Sequence, residues 1–118
     1  MILKLQNVDA AAIALHMSLM RGSFRNLLKK QYKEKKDDYL TAYDYVINEA
    51  KYQLEEELEE YNVHLNILDL KVLQAFLQAY IQKSEKELQQ AITDEYREHL
   101  NVLKDIQNRC SELVKHVG

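Results

Sequence analysis

The stretch LNILDLKVLQAFLQAYIQ, residues 65–82, decides the fold class of this chain. Asn66 can accept a hydrogen bond from the amide three residues on, and Asp69 at that position can return one, a variant of the capping box that opens helices. Leu65 and Leu70 stand at the two positions of the accompanying hydrophobic staple. Beyond the cap the polar strip consists of Lys71, Gln74, Gln78 and Gln82, and the rest of the circumference is apolar. A helix apolar over so wide an arc is covered by neighbours, so this one is expected at the centre of a helical assembly. It is not a membrane span: the apolar window over residues 65–81 is too short and holds Asp69 and Lys71.

Downstream, Ile92, Tyr96, His99, Leu103, Ile106, Cys110, Leu113 and Val117 alternate at spacings of 4 and 3, a heptad seam. Ser84 with Glu87 forms a capping-box pattern that can start this fourth helix. Nothing else breaks residues 66–117. The alternative is therefore three helices, with a fused third of about 50 residues and about 75 Å. Two helices are expected, because the chain must fold back to cover the third.

Upstream, a first helix is expected over residues 8–35. Ile13, Met17, Met20, Phe24 and Leu27 form one seam, and Val8, Ala12, Leu15, Leu19 and Gly22 form a second, nearly opposite. Apolar on both sides, this helix is expected to be buried by neighbours on both. Gly22 costs about 1 kcal/mol relative to alanine inside a helix and marks a close crossing or a kink. A second helix is expected over residues 38–61, capped by Asp37 or Asp38, with the seam Leu40, Tyr43, Ile47, Ala50, Leu54, Leu58 and Tyr61.

Composition agrees. The 118 residues include no proline and only 2 glycines, where average usage gives about 6 and 8. Turn-rich β and α/β folds need those residues at their corners. The hydrophobic fraction of 47% with 30% charged residues argues against disorder. The single cysteine, Cys110, excludes an internal disulfide framework and suits a reducing cytoplasm. The opening residues are broken by Asp9 and do not read as a secretory signal. The sequence thus reads as one all-α domain over residues 1–118, an up-and-down antiparallel four-helix bundle with short turns and no strand pairing. The expected core is Ile13, Met17, Met20, Phe24, Leu27, Ile47, Leu54, Leu68, Val72, Leu73, Phe76, Leu77, Tyr80, Ile92, Tyr96, Leu103, Ile106 and Leu113.

The net charge of −3 conceals a segregation. Residues 1–36 carry 8 basic and 2 acidic side chains, residues 37–70 carry 1 and 10, and residues 71–118 carry 7 of each. Arg21, Arg25, Lys29 and Lys33 line one helix face, with Lys36 beyond, and a row of cations can neutralise phosphates. The plainer account is a solvated face whose charges suit a helix C-terminus. No helix-turn-helix or RNA-binding signature accompanies them. The run EEELEE, residues 55–60, places acids at a helix's negative end, where the dipole disfavours them. It asks for an offset, either the positive start of the third helix or a basic partner. Six of the eight tyrosines lie between residues 32 and 61. Tyr39, Tyr45 and Tyr52 fall off the seam and are interface candidates.

Chemistry-bearing patterns are sparse. Helical di-metal sites need Glu-x-x-His twice, and that spacing does not occur; Glu60 and His64, and Glu95 and His99, are four apart. His99 on the fourth seam reads as a partly buried histidine with a hydrogen-bond partner, and Cys110 as an inert core thiol. His16 is followed by Arg21 five residues on, about 140° around the helix, which does not match the one-turn spacing of phosphotransfer histidines. Neither a glycine-rich phosphate loop nor a nucleophile elbow occurs.

The expectation is a non-enzymatic protein-protein interaction bundle of adaptor or regulatory type, without cofactor, metal or small-molecule ligand. Its partner is another protein or itself, in a homodimer. The expected partner surface is Arg21, Arg25, Lys29, Lys33, Tyr39, Tyr45, Tyr52, Glu55, Glu56 and Glu59. Nucleic-acid binding through the basic face is the alternative, and a metal or phosphotransfer role comes after it. In an antiparallel hairpin the basic and acidic runs lie about 30–35 Å apart. A two-fold axis across the bundle then sets the basic end of one copy beside the acidic end of the other.

Overall fold

A computed structural model of the chain describes residues 1–88 and 94–117. The order of elements is β1 (Ile2–Gln6), α1 (Asn7–Gln31), α2 (Lys36–Glu55), β2 (Glu60–His64), α3 (Ile67–Leu88) and α4 (Asp94–Val117). The architecture is an all-α four-helix bundle with a small two-stranded ribbon on it.

Helices α1 and α2 form an antiparallel hairpin. Near its middle Arg21 meets Asp44, and the buried Tyr43 hydroxyl donates to the Met17 carbonyl. At its closed end Tyr32 and Tyr39 are in edge contact at 5.4 Å. The turn falls at residues 32–35, earlier than the sequence suggests, and α2 begins without a side-chain cap. Asp37 and Asp38 sit in its first turn, where they still face the positive end of the dipole.

The ribbon corrects the expectation of no strand pairing. β1 and β2 are antiparallel, with Leu3 opposite Val63 and Leu5 opposite Tyr61. Side chains alternate along β1, so Leu3 and Leu5 enter the core while Ile2, Lys4 and Gln6 face out. Because β1 precedes α1 and β2 follows α2, the ribbon joins the open end of the helical hairpin and folds back along α2, where Gln53 reaches Leu5 and Tyr45 reaches His64.

α2 stops at Glu55, six residues short of the expected end, which separates most of the acidic run from the helix. Glu57 takes a left-handed backbone at φ 54. Its amide donates to the Leu54 carbonyl and the Leu58 amide donates to the Gln53 carbonyl. This is a Schellman cap with glutamate in the place usually held by glycine. Buried Gln53 ties the corner to the ribbon, its Nε2 donating to the carbonyls of Leu5 and Leu58. Leu54 faces solvent instead of the core.

β2 then runs back along α2. Tyr61 donates to Glu49 at 2.7 Å, and Tyr45 donates to the His64 carbonyl at 2.6 Å. The α2–α3 connection is therefore an extended return, not the expected short turn, and α3 starts beside the N-terminal half of α2. Its capping box is as the sequence states: the Asp69 amide donates to Asn66 Oδ1 at 2.7 Å and the Asn66 amide donates to Asp69 Oδ2 at 3.0 Å. Leu65 and Leu70 are both buried, and the Lys71 and Gln78 strip is exposed.

α3 continues through Ser84, which is buried inside the helix and does not cap α4. Lys104 of α4 lies 2.6 Å from Glu85 of α3. A straight fused helix holds those positions about 28 Å apart, so the chain folds back. α4 runs antiparallel to α1: Arg109 meets Asp9 at 2.8 Å and His99 meets His16 at the other end of the contact. On the α4 seam Leu103, Ile106 and Cys110 are buried and Leu113 is half-buried, whereas His99 is exposed. Ile92 and the Tyr96 and Val117 side chains lie outside the described residues.

The core includes Ile13, Met17, Ile47, Val72, Leu73, Phe76, Leu77, Leu103 and Ile106, with Met20, Phe24, Leu68 and Tyr80 partly buried against it. Leu27 is 42% exposed, because Leu28 rather than Leu27 turns inward. A chain of rings crosses the helices. Phe24 stacks on Tyr43 at 4.5 Å, Tyr43 meets Phe76 at 5.8 Å, Phe76 stacks on Tyr80 at 5.5 Å, and Tyr80 meets His16 at 4.8 Å.

Candidate interaction surface

The outward face of α1 is the most distinctive surface. Val8, Ala11, Leu15, Ser18, Gly22, Arg25 and Lys29 recur at spacings of 3 and 4, and all are exposed, with Leu19 beside them. Over its first four turns the face bears no charge, and over its last turns it is basic. Val8 is 57%, Leu15 49% and Leu19 71% exposed. The second apolar seam of α1 is thus uncovered, apart from buried Ala12, contrary to the expectation that neighbours shield both sides. The reason is topological: α2, α3 and α4 gather on the side of Ile13 and Met17. Single exposed hydrophobic residues are ordinary, but three on one face of one helix form a patch. Among the described residues Gly22 is not a crossing point, since a Cβ there would meet nothing within 4 Å.

The basic residues divide. Arg21 leaves the row and binds Asp44 through two hydrogen bonds of 2.7 and 2.9 Å. The Asp44 carboxylate hydrogen-bonded to it raises the arginine pKa, and the guanidinium in turn lowers that of Asp44. Arg25, Lys29 and Lys33 are exposed and form no ion pair among the described residues.

The acidic run lies at the opposite end of the hairpin. It lies beside the start of α1, not that of α3: the Asn7 amide donates to the Glu59 backbone carbonyl at 3.0 Å. Glu60 binds Lys4 at 3.1 Å and accepts from Gln6, contacts that lower its pKa. Glu55, Glu56, Glu57 and Glu59 are exposed and form no ion pair among the described residues.

The tyrosine candidates also divide. Tyr45 is half-buried and clamps β2 to α2, and Tyr39 is half-buried against the core. Tyr52 remains exposed beside Tyr61. The structure therefore gathers Arg25, Lys29 and Lys33 at one end and Tyr52, Glu55, Glu56 and Glu59 at the other, with the apolar face of α1 between the two groups. That apolar face was legible as a second seam; its exposure was not.

His16 and Cys110 both pack into the fold. His16 is half-buried, its Nδ1 2.7 Å from the Tyr80 hydroxyl. Burial, then the nearby His99, lowers its pKa. Burial pushes the Cys110 thiol up to about 12, far from a thiolate at neutral pH. Among the described residues no three His, Cys, Asp or Glu side chains gather as a metal site, and no helix is long and apolar enough to cross a membrane. No protein-family model, curated protein or solved structure matches this chain.

Proposed function

We propose that this chain is a non-catalytic interaction protein of the cytoplasm that works by self-association, in an adaptor or regulatory role. The observation that carries the reading is the uncovered apolar face of α1. Leaving Val8, Leu15 and Leu19 in water forgoes roughly 1 kcal/mol or more each, according to exposure, and a protein partner recovers it. The segregated charges support the same reading, because unpaired cations at one end and unpaired carboxylates at the other complement a second copy. Sedimentation equilibrium from 5 to 500 µM, at about 50 mM and about 500 mM salt, tests it. The expected result is a mass rising from 14.0 kDa toward twice that value with concentration, more steeply at low salt. A monomer throughout removes the reading.

The second reading is nucleic-acid binding, favoured by the exposed row Arg25, Lys29 and Lys33. The engagement of Arg21 by Asp44 shortens that row. Binding to DNA or RNA at about 50 mM salt, lost when the three become alanine, would establish it.

A further inference from the structure

We infer that the outward face of α1 receives the same face of a second copy, the two helices crossing antiparallel about a two-fold axis at Leu15. The inference rests on the self-association reading and adds the surface and its register.

The face is complementary to itself in one direction. About an axis at Leu15, Val8 of one copy stands level with Gly22 of the other, Ala11 with Leu19, and Leu15 with Leu15. Val8 with Gly22 and Ala11 with Leu19 each set a large side chain against a small one, the arrangement that lets two helices interdigitate, and Ser18 stands level with small Ala12. Gly22 fits this register. Packing among the described residues gives no reason for glycine there, since the space beyond its Cα is open. A helix bearing glycine at that point admits close approach of another backbone.

Charge selects the antiparallel direction. Arg25 lies ten residues beyond the axis, about 15 Å along the helix, and Asn7 lies eight residues before it, about 12 Å. The Glu59 carbonyl binds the Asn7 amide, so the acidic run sits at the Asn7 level. The two-fold therefore sets Arg25 and Lys29 of one copy near the acidic run of the other, and it does so twice. A parallel pairing sets cation against cation at Arg25 and Lys29, which costs affinity.

Cysteine cross-linking in the full chain tests the register, because buried Cys110 does not compete. Leu15→Cys is expected to oxidise to a covalent dimer, since the axis brings the two positions within disulfide reach. Leu19→Cys alone is not, but it is expected to cross-link to Ala11→Cys when the two variants are mixed. Leu19→Glu changes the most exposed of the three apolar residues, which protects the fold, and is expected to raise the dimer dissociation constant at least about tenfold. A wild-type dimer that survives Leu19→Glu, with no Leu15→Cys cross-link, overturns this register and leaves self-association standing. A wild-type chain monomeric at all concentrations overturns both.

Discussion

Replacing Arg109 by methionine keeps most of the aliphatic stem and removes the charge that ties α4 to the start of α1. The Asp9 side chain is only 5% exposed, and its Oδ2 accepts from the Gln6 amide at 2.8 Å and from Arg109 Nη2 at 2.8 Å. Arg109 also donates to the Lys4 carbonyl and meets Asp105 at 2.9 Å. Without the guanidinium the carboxylate stays buried with one amide donor. Stranding one member of a buried pair costs about 3–5 kcal/mol. Here Arg109 is 30% and Asp105 67% exposed, so water reaches part of the site and about 2–3 kcal/mol is expected. That lowers Tm by about 10 °C in a chain of this length. Asp9→Asn retains an acceptor for the Gln6 amide and leaves Arg109 two partners, so it costs less. Urea unfolding of both single variants and the double variant closes a cycle whose coupling is expected at about 1–2 kcal/mol. A coupling below about 0.3 kcal/mol refutes the claim that this pair anchors α4 to α1 and β1.

Glu57→Gly is expected to stabilise the protein by about 1 kcal/mol in urea melts, because glycine adopts the left-handed backbone without the Cβ penalty. His16 is held below its ordinary pKa, so its contribution to stability is whole above pH 6.5 and is lost as pH falls through the lowered folded value. Between pH 7.5 and 5 the wild type should therefore lose more stability than His16→Gln, measured by denaturant unfolding. Cys110 should react with a thiol reagent at least about a hundredfold more slowly in the native protein than in urea, since the thiol is both buried and protonated.

Legibility followed the range of the interactions. The α3 start was readable because Asn66, Asp69, Leu65 and Leu70 act within five residues of one another. The seams of α3 and α4 were readable because packing one face needs only periodicity. The ribbon was not: Leu3 and Leu5 alternate over too few residues to be distinguished from a helix start, and their partners Val63 and Tyr61 are 60 and 56 positions away. Without the ribbon the apolar seam of α2 reads on to Tyr61, and the return that places α3 does not show in the sequence. Ser84 had a cap's pattern, but a buried site inside a continuing helix outweighed it. At the surface, sequence identified the charge segregation and the double seam of α1, yet only the packing of α2, α3 and α4 decides which seam is left in water. The acidic run reads as a misfit in the sequence, and its place beside the Asn7 amide depends on the ribbon, which the sequence does not show.

Whether Val8, Leu15, Leu19 and Gly22 form a contact surface can be read from amide chemical shifts recorded in a dilution series. Concentration-dependent shifts are expected at those residues and at Arg25 and Glu59, with the exposed strip at Lys71, Gln78 and Gln82 unmoved. Spectra identical at every concentration, or changes confined to α3, would contradict that contact.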